Sequence, residues 1–331
     1  MSRVLSRVLE WKPGVLAGLA LVGTLVQAPN ANALEEVTLR LSWFVTGYTS
    51  PVFLGIDKGW YKEADLDVKV QESQGATIAV QQVASGNATF GIVTADAAVR
   101  VIAQDAPIKM IGTLATTNGY CVLVKADSGI NSPKDLQGKR YGSTAVSSPG
   151  RMLSAYLKAN NVPPESVKRI SMDYTNLYAG FMGGQFDAMA GLSYDELPRF
   201  EARGIKVRCM EYADVGLKMI GYVIVTRLPT IQNKPDVVRK FVAVTLKSYE
   251  YAYQHPEESA EAAKKLGGDA VKDTAISVGQ LNMFKKLAGT PFGVTTDEAM
   301  QSTVKLVKDN LDLPNAPSDM SRLFTNEFLP K

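Results

Sequence analysis

The sequence predicts an α/β protein of two lobes, each a mostly parallel sheet flanked by helices. Three observations lead there. From Leu34 onward, short strand-like runs alternate with helical patterns of ten or so residues, as in βαβ units. The alternation comes as two series that meet near Gly119. After the second series the chain turns mostly helical, and such a tail needs a sheet to pack on.

In order, "VTLRLSWF" reads as a strand and "PVFLGIDKGWY" as a helix over about Pro51–Tyr61. "LDVKVQES", "ATFGIVTA" and "IKMIGTLATT" are strands separated by the helices "ATIAVQQVASG" and "DAAVRVIAQD", the latter opened by an Asp cap. The second series runs through the strands "YCVLVKAD", "RYGSTAV", "VKRISMDY", "DAMAGLSY" and "IKVRCMEY". Its helices are "SPKDLQGKR", "SSPGRMLSAYLKANN", "NLYAGFMGGQF" and "ELPRFEARG". "GYVIVTRL" is one more strand. In "KPDVVRKFVAVTLKSYEYAYQH", Val238, Phe241, Val242, Thr245, Leu246 and Tyr249 form one apolar stripe, an amphipathic helix. "PEESAEAAKKLG", "DTAISVGQLNMFKKL", "TDEAMQSTVKLVKDNL" and "MSRLFTNEF" complete the helical tail. The expected partition is a discontinuous first lobe, 34–118 with 223–331, and a second lobe, 119–222, inserted into it.

Residues 1–33 read as a secretory signal peptide: Arg3, Arg7 and Lys12, then the apolar "GVLAGLALVGTLVQA", then "ANA" with cleavage after about Ala33. The apolar run is shorter than the ~20 residues a membrane span needs. The expected location is therefore the periplasm. Removing the leader takes three positive charges and Glu10 from a chain of net charge +3, leaving +1. A near-neutral chain carries no electrostatic footprint for nucleic acid. The two cysteines, Cys121 and Cys209, suit a disulfide in that compartment or simple burial, and the sequence leaves both open.

Enzyme chemistry finds little support. The one histidine, His255, precedes Pro256 at a helix junction with no nucleophile pattern around it. One His and two distant Cys exclude an obvious zinc site, and no phosphate-binding or dinucleotide glycine motif follows a strand. Neither a cofactor nor a metal is expected.

Recognition at strand ends is the alternative, because open α/β sheets bind ligands outside the carboxyl ends of their parallel strands. Those ends hold Trp43, Phe44 and Tyr48; Gly75, Ala76 and Thr77; Thr94 and Asp96; Thr117 and Asn118 at the crossing; Ser147 and Ser148; and Tyr194 and Asp195. Taken singly, Asp96, Ser147 and Ser148 also suit helix caps, Gly75 a turn, and Trp43 and Phe44 the core. Asp187 reads as a strand-start or turn residue; Arg100 and Arg151 are candidate anion partners, but each falls about one turn into its helix, which favours surface roles. Together the strand-end groups describe a small-molecule cleft between two lobes.

These residues resemble a known family. "LRLSWFVTGYTSPVFLGIDKGWYKEADLDVKVQESQGATIAVQQVASGNATFGIVTADAAV" looks like the amino-terminal signature of ABC-importer substrate-binding proteins. The subgroup is that of the alkanesulfonate, taurine and thiamine-pyrimidine-precursor binders. "DLQGKRYGS" and "GQFDA" continue the match, and Ala64-Asp65 stands where the family often has a glycine before Leu66. The resemblance implies a type II periplasmic-binding-protein fold, with crossings in "IGTLATTNGYCVLV" and "MIGYVIVT", closing on ligand by a hinge. It implies a small-molecule ligand, ABC permease subunits as partners, only peripheral contact with the inner-membrane complex, and a monomer. The Cys-rich run of the fungal pyrimidine-making relatives is absent. Aromatics and carboxylates at strand ends suit a planar aromatic or pyrimidine-like ligand, with or without an acidic group. Helix N-termini with Ser147 and Ser148 would instead suit an aliphatic sulfonate or other oxyanion. An enzyme acting on an aromatic precursor and a sensor subunit are the remaining alternatives.

Overall fold

The computed structural model describes residues 33–331 apart from positions 312 and 314. The expected leader lies outside the described residues, Ala33 excepted. Among the described residues there are ten strands: β1 (Glu35–Leu41), β2 (Leu66–Gln71), β3 (Phe90–Thr94), β4 (Ile108–Thr113), β5 (Tyr120–Lys125), β6 (Arg140–Ser143), β7 (Lys168–Ser171), β8 (Ala188–Leu192), β9 (Val207–Glu211) and β10 (Tyr222–Arg227). They form two five-stranded sheets, ordered β2-β1-β3-β10-β4 and β7-β6-β8-β5-β9. In the first, β1 runs parallel to β2 and β3, while β10 runs antiparallel to β3 and β4. In the second, β6 runs parallel to β7 and β8, while β5 runs antiparallel to β8 and β9. The sheets share one topology, and in each the fourth strand in the order is the one that has just crossed from the other.

Between the strands of the first sheet lie α1 (Ser50–Asp57), α2 (Trp60–Glu63), α3 (Ala76–Ser85) and α4 (Ala95–Ile102). The second sheet carries α5 (Ser148–Ala159), α6 (Tyr174–Met182) and α7 (Ser193–Glu201). The tail holds α8 (Leu228–Asn233), α9 (Pro235–Ala252), α10 (Pro256–Leu266), α11 (Thr274–Lys285) and α12 (Asp297–Asn310). Helices on both faces explain why β3 is buried along its whole length. One face of the first sheet packs Leu39, Phe90 and Ile224 under α9, where Phe90 and Phe241 stack at 3.9 Å. The other packs Val93 and Val223 against α3 and α4. The second sheet likewise has Val122 and Ala188 on one face, and Leu123 and Met189 on the other.

Several local expectations are corrected. The helix expected over Pro51–Tyr61 is two helices, divided at Gly59, whose φ of +76° suits only glycine without cost. A short helix, α8, follows β10 directly. "MSRLFTNEF" forms only one 3-10 turn, Met320–Arg322, after which Phe324 bridges to Met110 at the edge of β4. Asp96 does not cap α4: Thr94 occupies the N-cap and Asp96 sits in the first turn. Asp65, where the resemblance expects glycine, adopts φ +61°, the left-handed region that glycine favours. Cys121 and Cys209 form a disulfide between adjacent strands β5 and β9, with Cα atoms 5.3 Å apart. The segments joining the sheets run side by side, Gly221 N donating to Ala115 O and Leu114 N to Tyr222 O.

Candidate functional site

The carboxyl ends of β1, β3, β6 and β8 and the adjoining helix N-termini border an open cleft of about 670 Å3, the solvent at its mouth included. From the first sheet come Ser42, Trp43, Tyr48, Gly75, Thr94 and Tyr222. From the second come Tyr120, Ser148, Tyr174, Leu177, Asp195 and Glu196. The backbone explains why these residues meet. Each parallel strand ends where a helix starts, so its last side chain and the first turn of the helix face the same gap.

Trp43 leaves β1 half-buried, its ring edge-on to Tyr174 at 5.1 Å and to Phe44 at 5.4 Å. The hydroxyls of Ser42 and Tyr222 lie 3.1 Å apart. Thr94, 5% exposed, has a buried hydroxyl with no protein partner among the described residues. Gly75 takes φ +147°, which a side chain would strain, and a Cβ there would lie 3.3 Å from Val146 across the cleft mouth.

Two adjacent carboxylates form the opposite wall. Asp195 accepts from Arg199 Nε at 2.9 Å and from the Gln280 amide; Gln280 Oε1 in turn accepts from Gly47 N at 2.7 Å. Glu196, 5% exposed, accepts from the Tyr178 hydroxyl at 3.1 Å and from the backbone N–H of Leu192. Burial, and then the charge of Asp195, pushes the Glu196 carboxyl up to about 8. Arg199 is held all the more firmly in its charged form, chiefly by Asp195. Burial raises the Tyr174 and Tyr178 hydroxyls well above the ordinary tyrosine range.

Of the strand-end residues, Trp43, Tyr48, Gly75, Ala76, Thr94, Ser147, Ser148 and Asp195 border the cleft. The others do not. Phe44 packs beside Trp43 and Tyr174. Thr77 lies in α3 with its hydroxyl buried and unpartnered among the described residues. Asn118 ties the crossings together, donating to Leu217 O and accepting from Tyr120 N, and Thr117 presses its carbonyl against Gly221. Tyr194 is buried edge-on to Tyr48 at 5.0 Å. Asp96 is 0% exposed behind the wall, accepting from Tyr120 and Ser148 at 2.9 Å each. Ser147 is both cleft residue and N-cap of α5. Asp187 pairs with Arg140 at the start of β6, and His255 stacks on Tyr251 at the surface. Sequence reasoning missed Tyr174, Glu196, Tyr120 and Tyr222; Glu196 stood one residue from an identified strand end.

Residues 46–259 match the family described as NMT1/THI5 like. The chain belongs to this family. The chain is 24% identical over 323 residues to the riboflavin-binding protein RibY of Chloroflexus aurantiacus, spanning 93% of this chain and 90% of that one. It is 24% identical over 302 residues to the 4-amino-5-hydroxymethyl-2-methylpyrimidine phosphate synthase of Legionella pneumophila, spanning 89% of this chain and 93% of that one. The crystal structure of the periplasmic aliphatic sulphonate binding protein SsuA from Escherichia coli superposes with a TM-score of 0.69 at 14% identity, covering 88% of this chain and 92% of that one. The two-lobed fold is thus that of periplasmic binding proteins. Among the described residues no helix is long and apolar enough to cross a membrane.

Proposed function

We propose that this NMT1/THI5-like protein is an exported, monomeric solute-binding protein. It holds a planar heterocycle bearing N–H groups between its lobes and delivers it to an ABC permease from the periplasm. The observation that carries this reading is the juxtaposition of the Glu196 carboxyl with the Trp43–Tyr174 aromatic edge in one cleft. An aromatic wall binds a ring by its face, and a buried carboxyl accepts from ring or exocyclic N–H groups. The names of two relatives, a riboflavin binder and a pyrimidine phosphate synthase, point to ligands of that shape.

A sulfonate or other oxyanion is the second reading, favoured by the helix N-termini of α3, α4 and α5 around the cleft. Against it, no Arg or Lys borders the cleft among the described residues, and two arginines beside its wall are engaged: Arg199 with Asp195, and Arg151 near Asp96 at 3.6 Å. Turnover is not expected, since relatives and structural neighbours include solute-binding proteins and the one histidine, His255, does not border the cleft.

A thermal-shift screen with riboflavin, aminopyrimidines and alkanesulfonates tests the proposal. A true ligand at a hundred times its dissociation constant stabilises by about 2.7 kcal/mol. Heterocycles should raise the melting temperature, and Trp43→Ala should abolish that rise. The truncation itself should cost less than the ~3–5 kcal/mol typical of a fully buried large aromatic. A shift from sulfonates alone would replace this reading with the second one.

A further inference from the structure

We propose that Asp96 is an interlobe latch, a positioning residue that sets the balance between open and closed lobes without touching the ligand. Its carboxylate belongs to α4, which packs on the first sheet through Val99 and Ile102. Among the described residues, its hydrogen-bond and ion-pair partners come from the second lobe: Tyr120 at the start of β5, Ser148 at the start of α5, and Arg151 one turn further along. The Tyr120 and Ser148 hydroxyls each donate at 2.9 Å, one to each carboxylate oxygen. Arg151 Nη2 lies 3.6 Å away and also donates to Ser148 Oγ at 3.1 Å. A fully buried carboxylate whose donors all lie across a seam holds that seam together. Opening the lobes strips both donors and leaves water to replace them.

A second feature gives the latch its sign. Arg100 sits on α4 one turn beyond Asp96, and Arg151, on α5, lies 3.6 Å from that carboxylate. Burial, and then the charge of Arg151, disfavours the Arg100 cation, while Asp96 favours it. Asp96 therefore screens two like charges that belong to different lobes. Without it, the two guanidinium groups lose a shared counter-charge.

Small-angle X-ray scattering of the protein without added ligand tests this, independently of whether the cleft binds heterocycles. Asp96→Asn keeps the shape of the side chain and removes its charge, and its radius of gyration should exceed that of the wild type. The difference should shrink in high salt, which screens the Arg100–Arg151 repulsion. It should also shrink in the Asp96→Asn/Arg151→Gln double variant. Affinity for riboflavin, or for any other compound that shifts the melting temperature, should fall by one common factor of about 5- to 150-fold, the usual range of coupling between two states. An unchanged radius of gyration in folded Asp96→Asn overturns the proposal, as does a loss of affinity that differs from one compound to the next. Should Asp96→Asn fail to fold, Ser148→Ala, which leaves the Tyr120 bond in place, decides by the same scattering measurement.

Discussion

Replacing Glu196 with Gln should remove a pH dependence that the wild-type fold carries. The carboxyl is held at about 8 in the folded chain, whereas an ordinary glutamate titrates near 4.5. A group with a raised folded value contributes stability below its unfolded value and loses it as pH rises through the folded one. The wild type is therefore helped at pH 5 and progressively penalised toward pH 8. The slope in that window is about 1.4 kcal/mol per pH unit, so between pH 5 and 7.5 the loss is on the order of 3 kcal/mol. The new amide in E196Q would mimic the neutral acid: its carbonyl can accept from Leu192 N–H, and its NH2 can donate to the Tyr178 hydroxyl. Urea unfolding of both proteins across that range, followed by tryptophan fluorescence, gives the two stability curves. Wild type should fall relative to E196Q by the stated amount. Parallel curves would refute the assignment of a protonated, buried Glu196 to the cleft wall.

Two further outcomes follow from packing. A Cβ at Gly47 would lie 2.0 Å from the Ser277 carbonyl oxygen, so Gly47→Ala must displace α11 and should cost about 1–3 kcal/mol in urea unfolding. Replacing both Cys121 and Cys209 by Ala removes a link between residues 88 apart, and should lower stability by about 2–5 kcal/mol in the same assay.

The alternation of strand and helix was legible because each βαβ unit writes its own period into the chain. So was half of the cleft, since strand ends can be located without knowing how the strands pair. What the sequence hides is long-range. Asp96 reads as a cap because its neighbours are local, whereas its actual partner Ser148 lies 52 residues away. Glu196 carries no signal of its own; its unusual proton affinity comes from burial and then the charge of Asp195, which outweigh the opposing hydrogen bonds from Leu192 and Tyr178, all fixed by the folded backbone. Tyr120 and Tyr222 begin strands rather than end them, and only the antiparallel insertion of β5 and β10 turns those beginnings toward the cleft. No local pattern distinguishes such an antiparallel strand from its parallel neighbours.

That insertion also governs when the protein can become itself. The strand β4 has no sheet neighbour other than β10 among the named strands, and β10 ends at Arg227. A nascent chain can pair β1, β2 and β3 early, but β4 stays an unpaired edge until the whole inserted lobe and β10 after it have been made. The second sheet, by contrast, needs only the contiguous residues 120–211. The lobe that comes second along the chain is therefore the first that can be finished, and the lobe that begins the chain is closed last.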